Sequence, residues 1–276
     1  MIEILEQGSW VNCTNRLNDK EFISQSTFLS TRYECTATLV ATSDYIITQA
    51  YYSIHRSNDR SKRIEESLPE LIGGSASFDG AKVMKGLKDF DGVGKVQELF
   101  IECIRGLDQI ETFLGEERGL TTREEIEKLW LQGKEDYCRA HYKERAIVGV
   151  WSAHIGAYDY TRVKNFYNKT KTYTIIKRND SQVQVLGAYN DSFHEMRCEF
   201  TYNLADHIIT DFDMIVIRAP YYRCFEFMHA EVNSFIGKPI EKFTKREVGK
   251  ILGGGSGCFH LVEIVSDMAL AVIERG

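Results

Sequence analysis

A self-similarity between the first and last thirds of this 276-residue chain constrains its fold more than any other feature. Short segments recur in the same order, 162 to 172 residues apart. The matched pairs are Asn18-Asp19 with Asn190-Asp191, 44–48 with 206–210, Arg56 with Arg218, Ile72-Gly73 with Ile236-Gly237, and Gly92-Val93-Gly94 with Gly255-Ser256-Gly257. Matches that keep both order and spacing rarely arise by chance, so they predict an internal duplication.

Hydrophobic periodicity predicts strands followed by helices in each copy. Four segments have the two-residue alternation of half-buried strands: 1–19, 31–56, 172–187 and 193–217. The predicted turns or breaks lie at Gln7-Gly8-Ser9, Ser43-Asp44, Asn179-Asp180 and Ala205-Asp206. Helices are predicted at about 79–87, 95–104, 221–235, 244–252 and 258–273. We therefore predict an α+β fold of two antiparallel sheets, each of about four strands followed by helices, in a pseudo-twofold arrangement.

The segment between the copies defines three predicted domains: 1–106, 107–171 and 172–276. Residues 107–144 are predicted to form a helical connector. Two Thr-x-x-Glu sequences there, Thr121 with Glu124 and Thr122 with Glu125, fit the capping box that begins a helix. Residues 146–171 have no clear periodicity, and their structure is left open.

Composition excludes several classes of function. A net charge of −6 and an isoelectric point near 5.7, with no basic stretch, argue against binding to nucleic acid or to an anionic membrane surface. The apolar runs are too short to cross a bilayer. Seven scattered cysteines favour reduced thiols over a disulfide framework, so we expect a cytoplasmic protein.

The stretch 253–261, Gly-Gly-Gly-Ser-Gly-Cys-Phe-His-Leu, has the most distinctive chemistry of the chain. Its glycines directly precede the helix predicted at 258–273, so Cys258 and His260 fall in the first turn of that helix. Free N–H groups and the positive end of the helix dipole favour an anion there and lower the pKa of a cysteine.

Two further reactive residues are predicted to converge on this helix start. Cys224 lies near the beginning of the helix predicted at 221–235, where Pro220 suits the first turn. His194 begins a strand. The first copy carries Lys95 and Gln97 where the second has the thiol and the imidazole, so the reactive set belongs to the second copy.

In one interpretation a thiolate attacks the substrate. Cys258 or Cys224 is then the nucleophile, and His194 or His260 is its proton partner. Loop N–H groups hold an oxyanion or a substrate carboxylate. The residues predicted to bind the ligand are Gly255, Ser256, Gly257, Arg223 and Tyr222.

In a second interpretation Cys258, His260, Cys224 and His194 bind a transition metal such as zinc. Two Cys and two His suit tetrahedral coordination, and three ligands leave a position for water. The spacing is not that of a zinc finger. In a third interpretation the two thiols are small buried hydrophobes and the histidines satisfy local hydrogen bonds.

Three short motifs carry a resemblance to a known family. They are His194-Glu195-Met196, the Pro-x-x-x-Cys at 220–224, and the Gly-Gly-x-x-Gly-Cys-x-His-Leu that ends at Leu261. Through them, roughly residues 172–272 resemble the bacterial family of domains of unknown function numbered 2889. The resemblance implies a site at these motifs and names no reaction.

These patterns predict an enzyme of hydrolase or lyase type that acts on a small organic acid or acyl compound. The alternative is a non-catalytic binding or assembly module, which captures an anionic ligand at the glycine-lined helix start. The predicted partner is a small anionic molecule, with no nucleic acid and no membrane. A homo-oligomer is compatible with either function.

Overall fold

The computed structural model describes residues 2–58, 63–76, 92–122, 138–141, 162–226 and 229–275, together with 85, 87, 124–126 and 128. Nine strands are present in these ranges: β1 Glu3–Asn18, β2 Glu21–Ser30, β3 Glu34–Thr42, β4 Ile47–Arg56, β5 Ile64–Ser67, β6 Asn165–Lys177, β7 Gln182–Asp191, β8 Glu195–Asn203 and β9 Ile209–Arg218. They form one sheet in the order β5-β4-β3-β2-β1-β6-β7-β8-β9. The α+β class is confirmed, whereas two separate four-stranded sheets are wrong.

The first strand also differs from its prediction. Gly8 and Ser9 pair with Ser30 and Leu29 in the ladder between β1 and β2, so the predicted hairpin at Gln7-Gly8-Ser9 is an uninterrupted strand. Glycine is compatible with a strand when its neighbours keep the alternation of buried and exposed side chains, as they do here. The other three predicted turns separate strands as expected.

Four α-helices have both their bounds in the described residues: α1 Val93–Gln109, α2 His229–Asn233, α3 Lys245–Leu252 and α4 Phe259–Arg275. Residues 85, 124–126 and 128 are helical as well. Short 3-10 helices cover Pro69–Leu71, Ile110–Phe113, Glu116–Arg118, Arg139–His141, Tyr222–Phe225 and Ile240–Lys242. The predicted helices at 95–104, 244–252 and 258–273 are confirmed. The helix predicted at 221–235 is confirmed only in part: α2 covers His229–Asn233, whereas Cys224 lies in the 3-10 helix Tyr222–Phe225, which ends at the extended Glu226. The helix predicted at 79–87 lies almost wholly outside the described residues.

One of the two predicted capping boxes is confirmed. The N–H of Glu125 donates to Oγ1 of Thr122 at 3.2 Å, and Oε2 of Glu125 accepts the N–H of Thr122 at 3.0 Å. In the other predicted box, the N–H of Thr121 also donates to Glu125, at 2.8 Å, and not to Glu124.

The chain divides into two compact units. The N-terminal unit comprises Gly8–Gly119 and Asp159–Thr170, and the C-terminal unit comprises Met1–Gln7, Leu120–Tyr158 and Lys171–Gly276. The domain boundaries and the pseudo-twofold arrangement drawn from the sequence stay predictions. Among the helices of the described ranges, none combines the length and the apolar character required to cross a membrane.

Each unit packs a 17-residue helix against its strands. In the N-terminal unit α1 lies on β2 and β3, so close that a Cβ on Gly106 would be 2.4 Å from Oγ1 of Thr14. In the C-terminal unit α4 lies on β7 and α3, and a Cβ on Gly187 would be 2.3 Å from Sδ of Met268. This packing places α4 on the strand that ends at Asp191.

The two units also share unusual backbone geometry. Tyr45 and His207 are the described non-glycine residues with positive φ, at 60° and 55°. Gly73 and Gly237 have φ of 81° and 79°, and each donates its N–H at 2.8 Å to the first residue of the strand beside it. These positions belong to the pairs 44–48 with 206–210 and Ile72-Gly73 with Ile236-Gly237, so the structure gives both pairs matching geometry.

Two of the other sequence matches are wrong in register. Asn18 pairs with Glu21 at the β1–β2 hairpin, whereas Asn190 pairs with Glu195 at the β7–β8 hairpin. The glycine match is displaced as well. At the start of α1, the carbonyl of Gly92 accepts the N–H of Val96 at 3.1 Å. At the start of α4, the carbonyl that accepts the equivalent bond is that of Cys258, at 3.2 Å, so Gly92 corresponds to Cys258 and not to Gly255.

Candidate functional site

The site begins with a tight turn between β7 and β8. Asp191 ends β7, and its Oδ1 accepts the N–H groups of Phe193 at 2.7 Å and His194 at 2.5 Å. Arg218 donates to the carbonyl oxygens of Asp191 at 2.7 Å and His194 at 3.0 Å. An Asp side chain that accepts hydrogen bonds from the backbone N–H groups after it stabilises a turn, and the two bonds from Arg218 to carbonyl oxygens stabilise the same turn further. The turn therefore holds His194 in place directly before β8.

The N-terminal unit builds the same turn with other side chains. Oγ of Ser30 accepts the N–H of Tyr33 at 3.0 Å, and Arg56 donates to the carbonyl of Ser30 at 2.7 Å. Arg56 and Arg218 thus have a structural role. Ser30 and Tyr33 stand where the C-terminal unit has the carboxylate and the imidazole.

Asp191 also bonds the imidazole of His194. Its Oδ1 and Oδ2 lie 3.1 and 3.3 Å from Nδ1 of His194, and its Oδ2 accepts the hydroxyl of Tyr189 at 2.9 Å. Burial alone would raise the pKa of Asp191, but the nearby His194 and His260 and the N–H of Phe193 outweigh it and hold that pKa well below its usual range. Asp191 is therefore ionised at neutral pH and fixes the orientation of the His194 ring.

His260, the second residue of α4, completes the group. Its ring centroid lies 4.0 Å from that of His194 and 4.8 Å from that of Tyr189. One ligand atom from each of Asp191, His194 and His260 falls within 4.8 Å of the other two. The structure thus brings together the two histidines predicted from the sequence, although they lie 66 positions apart in the chain.

Sequence reasoning missed Asp191 as a functional residue. The available signal was the Asp-x-x-His spacing at the end of an alternating strand, because Asp in a turn commonly bonds the backbone two residues on. That spacing predicts a turn that points the carboxylate at the imidazole.

Cys258 lies at the start of α4, as predicted, but its chemistry differs. Its Sγ is 4.0 Å from Nδ1 of His260, and it interacts with the backbone N–H groups of Leu261 and His260. Burial raises the pKa of Cys258 to about 12, more than those N–H groups lower it. The prediction that the helix start lowers this pKa is wrong, since desolvation of a thiolate outweighs the field of the helix. Cys258 is a thiol at neutral pH.

Cys224 is also protonated. Burial first, and then the neighbouring Cys258 and Cys138, raise the pKa of Cys224 to about 12. Cys138, which was not predicted, lies with its Sγ 3.5 Å from Nδ1 of His141. Within the described part of the chain, the group of three or more candidate metal ligands is Asp191, His194 and His260, and it includes neither Cys224 nor Cys258.

Several backbone groups of the glycine loop already make hydrogen bonds within the protein. The N–H of Gly257 donates to the carbonyl of Gly254 at 2.9 Å, and the N–H of Cys258 donates to the carbonyl of Leu252 at 2.7 Å. The carbonyls of Ser256 and Gly257 accept N–H groups of Arg139 at 2.9 and 2.8 Å. An N–H that already donates within the loop is not available to an oxyanion. The predicted role of Gly257 in binding one is therefore unsupported.

The two remaining predicted ligand residues lie in the 3-10 turn before Cys224. Tyr222 is 57% exposed. Nη1 of Arg223 is buried and has no hydrogen-bond partner among the described residues. The role of Arg223 as the cation for an anionic group of the ligand stays a prediction.

Gly257→Ala is expected to lower the free energy of unfolding by about 1–3 kcal/mol. A Cβ at this position would lie 2.1 Å from the carbonyl oxygen of Leu252, a backbone atom that cannot rotate away. Urea denaturation of both proteins measures the change. The control is Gly249→Ala in α3, where the Cβ would meet only Val262 at 3.9 Å and helix propensity favours alanine. Equal stability of Gly257→Ala and the wild type would contradict the close packing of this loop.

Comparison with known proteins identifies one family. Residues 158–274 match the model of the family described as "Protein of unknown function (DUF2889)". No curated protein and no solved structure matches the chain. The matched range contains Asp191, His194 and His260, and the resemblance inferred from the three motifs is confirmed.

Proposed function

We propose that this chain, whose residues 158–274 match the DUF2889 family model, is a hydrolase that uses Asp191, His194 and His260 to activate water against a small acyl compound. The observation that carries the proposal is the bond from buried, ionised Asp191 to Nδ1 of His194, with the His260 ring 4.0 Å away. A carboxylate bonded to one imidazole nitrogen leaves the other nitrogen as a base, and it stabilises the imidazolium that forms.

The proposed reaction uses water as its nucleophile. Nε2 of His194 takes a proton as the water oxygen bonds to the acyl carbon, and the electron pair of the carbonyl moves onto its oxygen. Collapse of this intermediate breaks the bond to the leaving group, which receives the proton from His194. The products are a carboxylic acid and an alcohol or thiol. His260 lies where its ring can bond the developing oxyanion or the leaving group.

A thiolate nucleophile is disfavoured by the pKa values of the two cysteines and by the distance from Cys258 to His260. With pKa values of about 12, Cys258 and Cys224 are almost wholly protonated at pH 7. His260 lies 4.0 Å from Sγ of Cys258, longer than the bond of an activated pair of nucleophile and base. Direct attack by water needs no such pair.

A metal-supported hydrolase is the second candidate. Asp191, His194 and His260 are close enough to share one ion, and two histidines with one carboxylate suit a divalent transition metal such as zinc. The hydrogen-bonding pattern fits a different role for Asp191, because both its oxygens already accept bonds from protein groups. A metal would therefore be held by His194 and His260, with Asp191 orienting His194 from outside the ligand set, and it would lower the pKa of a coordinated water.

We also propose that the N-terminal unit is a copy of the same fold without a site. Paired left-handed positions, the two arginine-clamped turns and two 17-residue helices support this origin. The residues at the site positions of the N-terminal unit are Ser30, Tyr33, Gly92 and Gly94, in place of Asp191, His194, Cys258 and His260. None of these four residues has an imidazole or a carboxylate.

The proposal is tested with a panel of p-nitrophenyl esters and acyl thioesters. We expect Asp191→Asn to hydrolyse the best substrate about 10²- to 10⁴-fold more slowly, because the amide cannot stabilise a charged His194. Ser30→Ala is the matched control, since it removes the same turn acceptor in the unit without the site. Incorporation of oxygen from labelled water separates a hydrolase from a lyase, and elemental analysis separates the two hydrolase candidates.

The same variant has a pH signature in stability. The pKa of Asp191 in the folded protein lies below its unfolded value of about 4, so its ionised form favours folding. This contribution is complete above about pH 4 and is lost as the pH falls toward the folded pKa. The stability difference between wild type and Asp191→Asn should therefore shrink below pH 4.

No hydrolysis by the wild type, with ligand affinity intact in the variant, would favour the binding-module alternative.

A further inference from the structure

Cys258 has a place in the fold that neither a nucleophile nor a metal ligand requires. Its carbonyl accepts the N–H of Val262 at 3.2 Å, which makes it the capping residue of α4. Its side chain therefore stands at the position from which a cap reaches the N–H groups of His260 and Leu261, the second and third residues of the helix. A capping side chain usually accepts from these positions, and serine, threonine, asparagine or aspartate normally provides it.

The loop before the helix fixes the position of this sulfur. The N–H of Cys258 donates to the carbonyl of Leu252 at 2.7 Å, and the carbonyl of the preceding Gly257 accepts the N–H of Arg139 at 2.8 Å. These two bonds hold the peptide group before Cys258, and the bond from Val262 to its carbonyl holds the residue on the other side. Its sulfur lies 4.0 Å from Nδ1 of His260, so it contacts the ring of that histidine.

The N-terminal unit shows that a helix of this length does not need such a cap. Gly92 occupies the corresponding position before α1, with φ of 85° and no side-chain capping bond. Both helices nevertheless have 17 residues. The capping side chain is therefore present only before α4, the one of these two helices that carries a site histidine.

We propose that Cys258 is a positioning residue whose sulfur caps α4 and holds His260 against His194, and that it forms no covalent intermediate. The proposal rests on the proposed function of His260 as a site residue. The 4.0 Å between Sγ of Cys258 and Nδ1 of His260 is longer than the hydrogen bond of an activated nucleophile and base, which is compatible with a sulfur that packs and caps the helix.

Two substitutions separate positioning from nucleophilic attack. Cys258→Ser keeps a capping acceptor, since a hydroxyl can accept the same N–H groups, and we expect its kcat to remain within about threefold of the wild type. Cys258→Ala removes the acceptor, and we expect kcat to fall roughly 10- to 100-fold because a small displacement of His260 disturbs the reacting geometry. KM should change little, and Cys13→Ser in the N-terminal unit is the control for loss of a thiol.

Mass spectrometry and amide NMR complete the test on the full chain with a p-nitrophenyl ester as the probe. We expect no acyl adduct on Cys258 during turnover, and displaced His260 and Leu261 amide resonances in Cys258→Ala but not in Cys258→Ser. An acyl adduct, or a Ser variant as inactive as the Ala variant, would overturn the proposal. Absence of ester and thioester hydrolysis by the wild type refutes the proposed function instead, and the amide resonances alone then decide whether the sulfur caps the helix.

Discussion

His194→Asn is expected to slow acyl hydrolysis about 10²- to 10⁴-fold, the contribution of a positioned general base. The asparagine amide can replace Nδ1 as the group that meets Asp191, but it has no counterpart of Nε2. The variant thus removes the nitrogen proposed to take the proton from water and keeps the bond to the carboxylate. Initial rates at saturating substrate measure the loss.

The fold of this variant should be intact. The turn is held by the backbone N–H of His194, which donates to Asp191, and by its carbonyl, which accepts from Arg218. Neither group changes on substitution. His207→Asn is the matched control: it lies in the same unit at a φ of 55° that asparagine tolerates, and it pairs with Glu241 outside the site. Unfolding of His194→Asn, or hydrolysis at the wild-type rate, would contradict the role of His194.

Binding measurements on the same variant distinguish catalysis from capture. A base that acts only on water contributes little to ground-state affinity, so KM should stay close to the wild-type value. Calorimetric titration of the variant with the carboxylate product checks this independently. A variant that loses affinity and turnover by the same factor would place His194 in ligand binding.

Much of the fold could be predicted because strands and helices differ in hydrophobic period. The turns near Asn179-Asp180 and Ala205-Asp206 follow from short polar breaks in alternating segments, and α4 follows from an apolar run after glycines. The hairpin expected at Gly8 failed because a glycine between alternating residues is equally compatible with a continuous strand. Whether strands join one sheet or two depends on long-range pairing, which periodicity does not encode.

The site was only half predictable. Motif residues identified His194 and His260, whereas Asp191 appeared as part of a turn match whose register was wrong. The predicted direction of the pKa shift of Cys258 was wrong, because the main cause of the shift is burial, and burial depends on the packing of residues far apart in sequence. Local sequence gives the field at a helix start, but it does not give the desolvation that opposes that field.

A buried ion-pair cluster in the C-terminal unit was missed for a related reason. Nζ of Lys171 on β6 lies 2.6 Å from Oδ2 of Asp267 and 3.2 Å from Oε1 of Glu263, both on α4. All three residues are buried. The alternation of β6 places Lys171 on the same face as the buried Tyr173 and Ile175, so its burial could have been predicted, but its partners could not.

Lys171→Met is expected to lower the free energy of unfolding by about 3–5 kcal/mol. Methionine fills a similar volume but leaves Asp267 and Glu263 without the cation that compensates their burial. Removing one partner of a buried ion pair costs far more than replacing all partners by apolar groups, because the remaining charges stay desolvated. Urea denaturation, with an unchanged dependence on denaturant concentration, measures the loss.

Two further variants make this test specific. Lys177→Met is the matched control on the same strand: its partner Asp180 is fully exposed, and such pairs contribute at most about 1 kcal/mol. The triple variant Lys171→Met, Glu263→Leu, Asp267→Leu removes all three charges together and should recover most of the stability that Lys171→Met loses. If Lys171→Met and Lys177→Met were equally stable, the cluster would not be desolvated as its burial implies. Recovery in the triple variant, by contrast, would show that the cost of the single substitution arises from the uncompensated carboxylates of α4 and not from the change in side-chain shape.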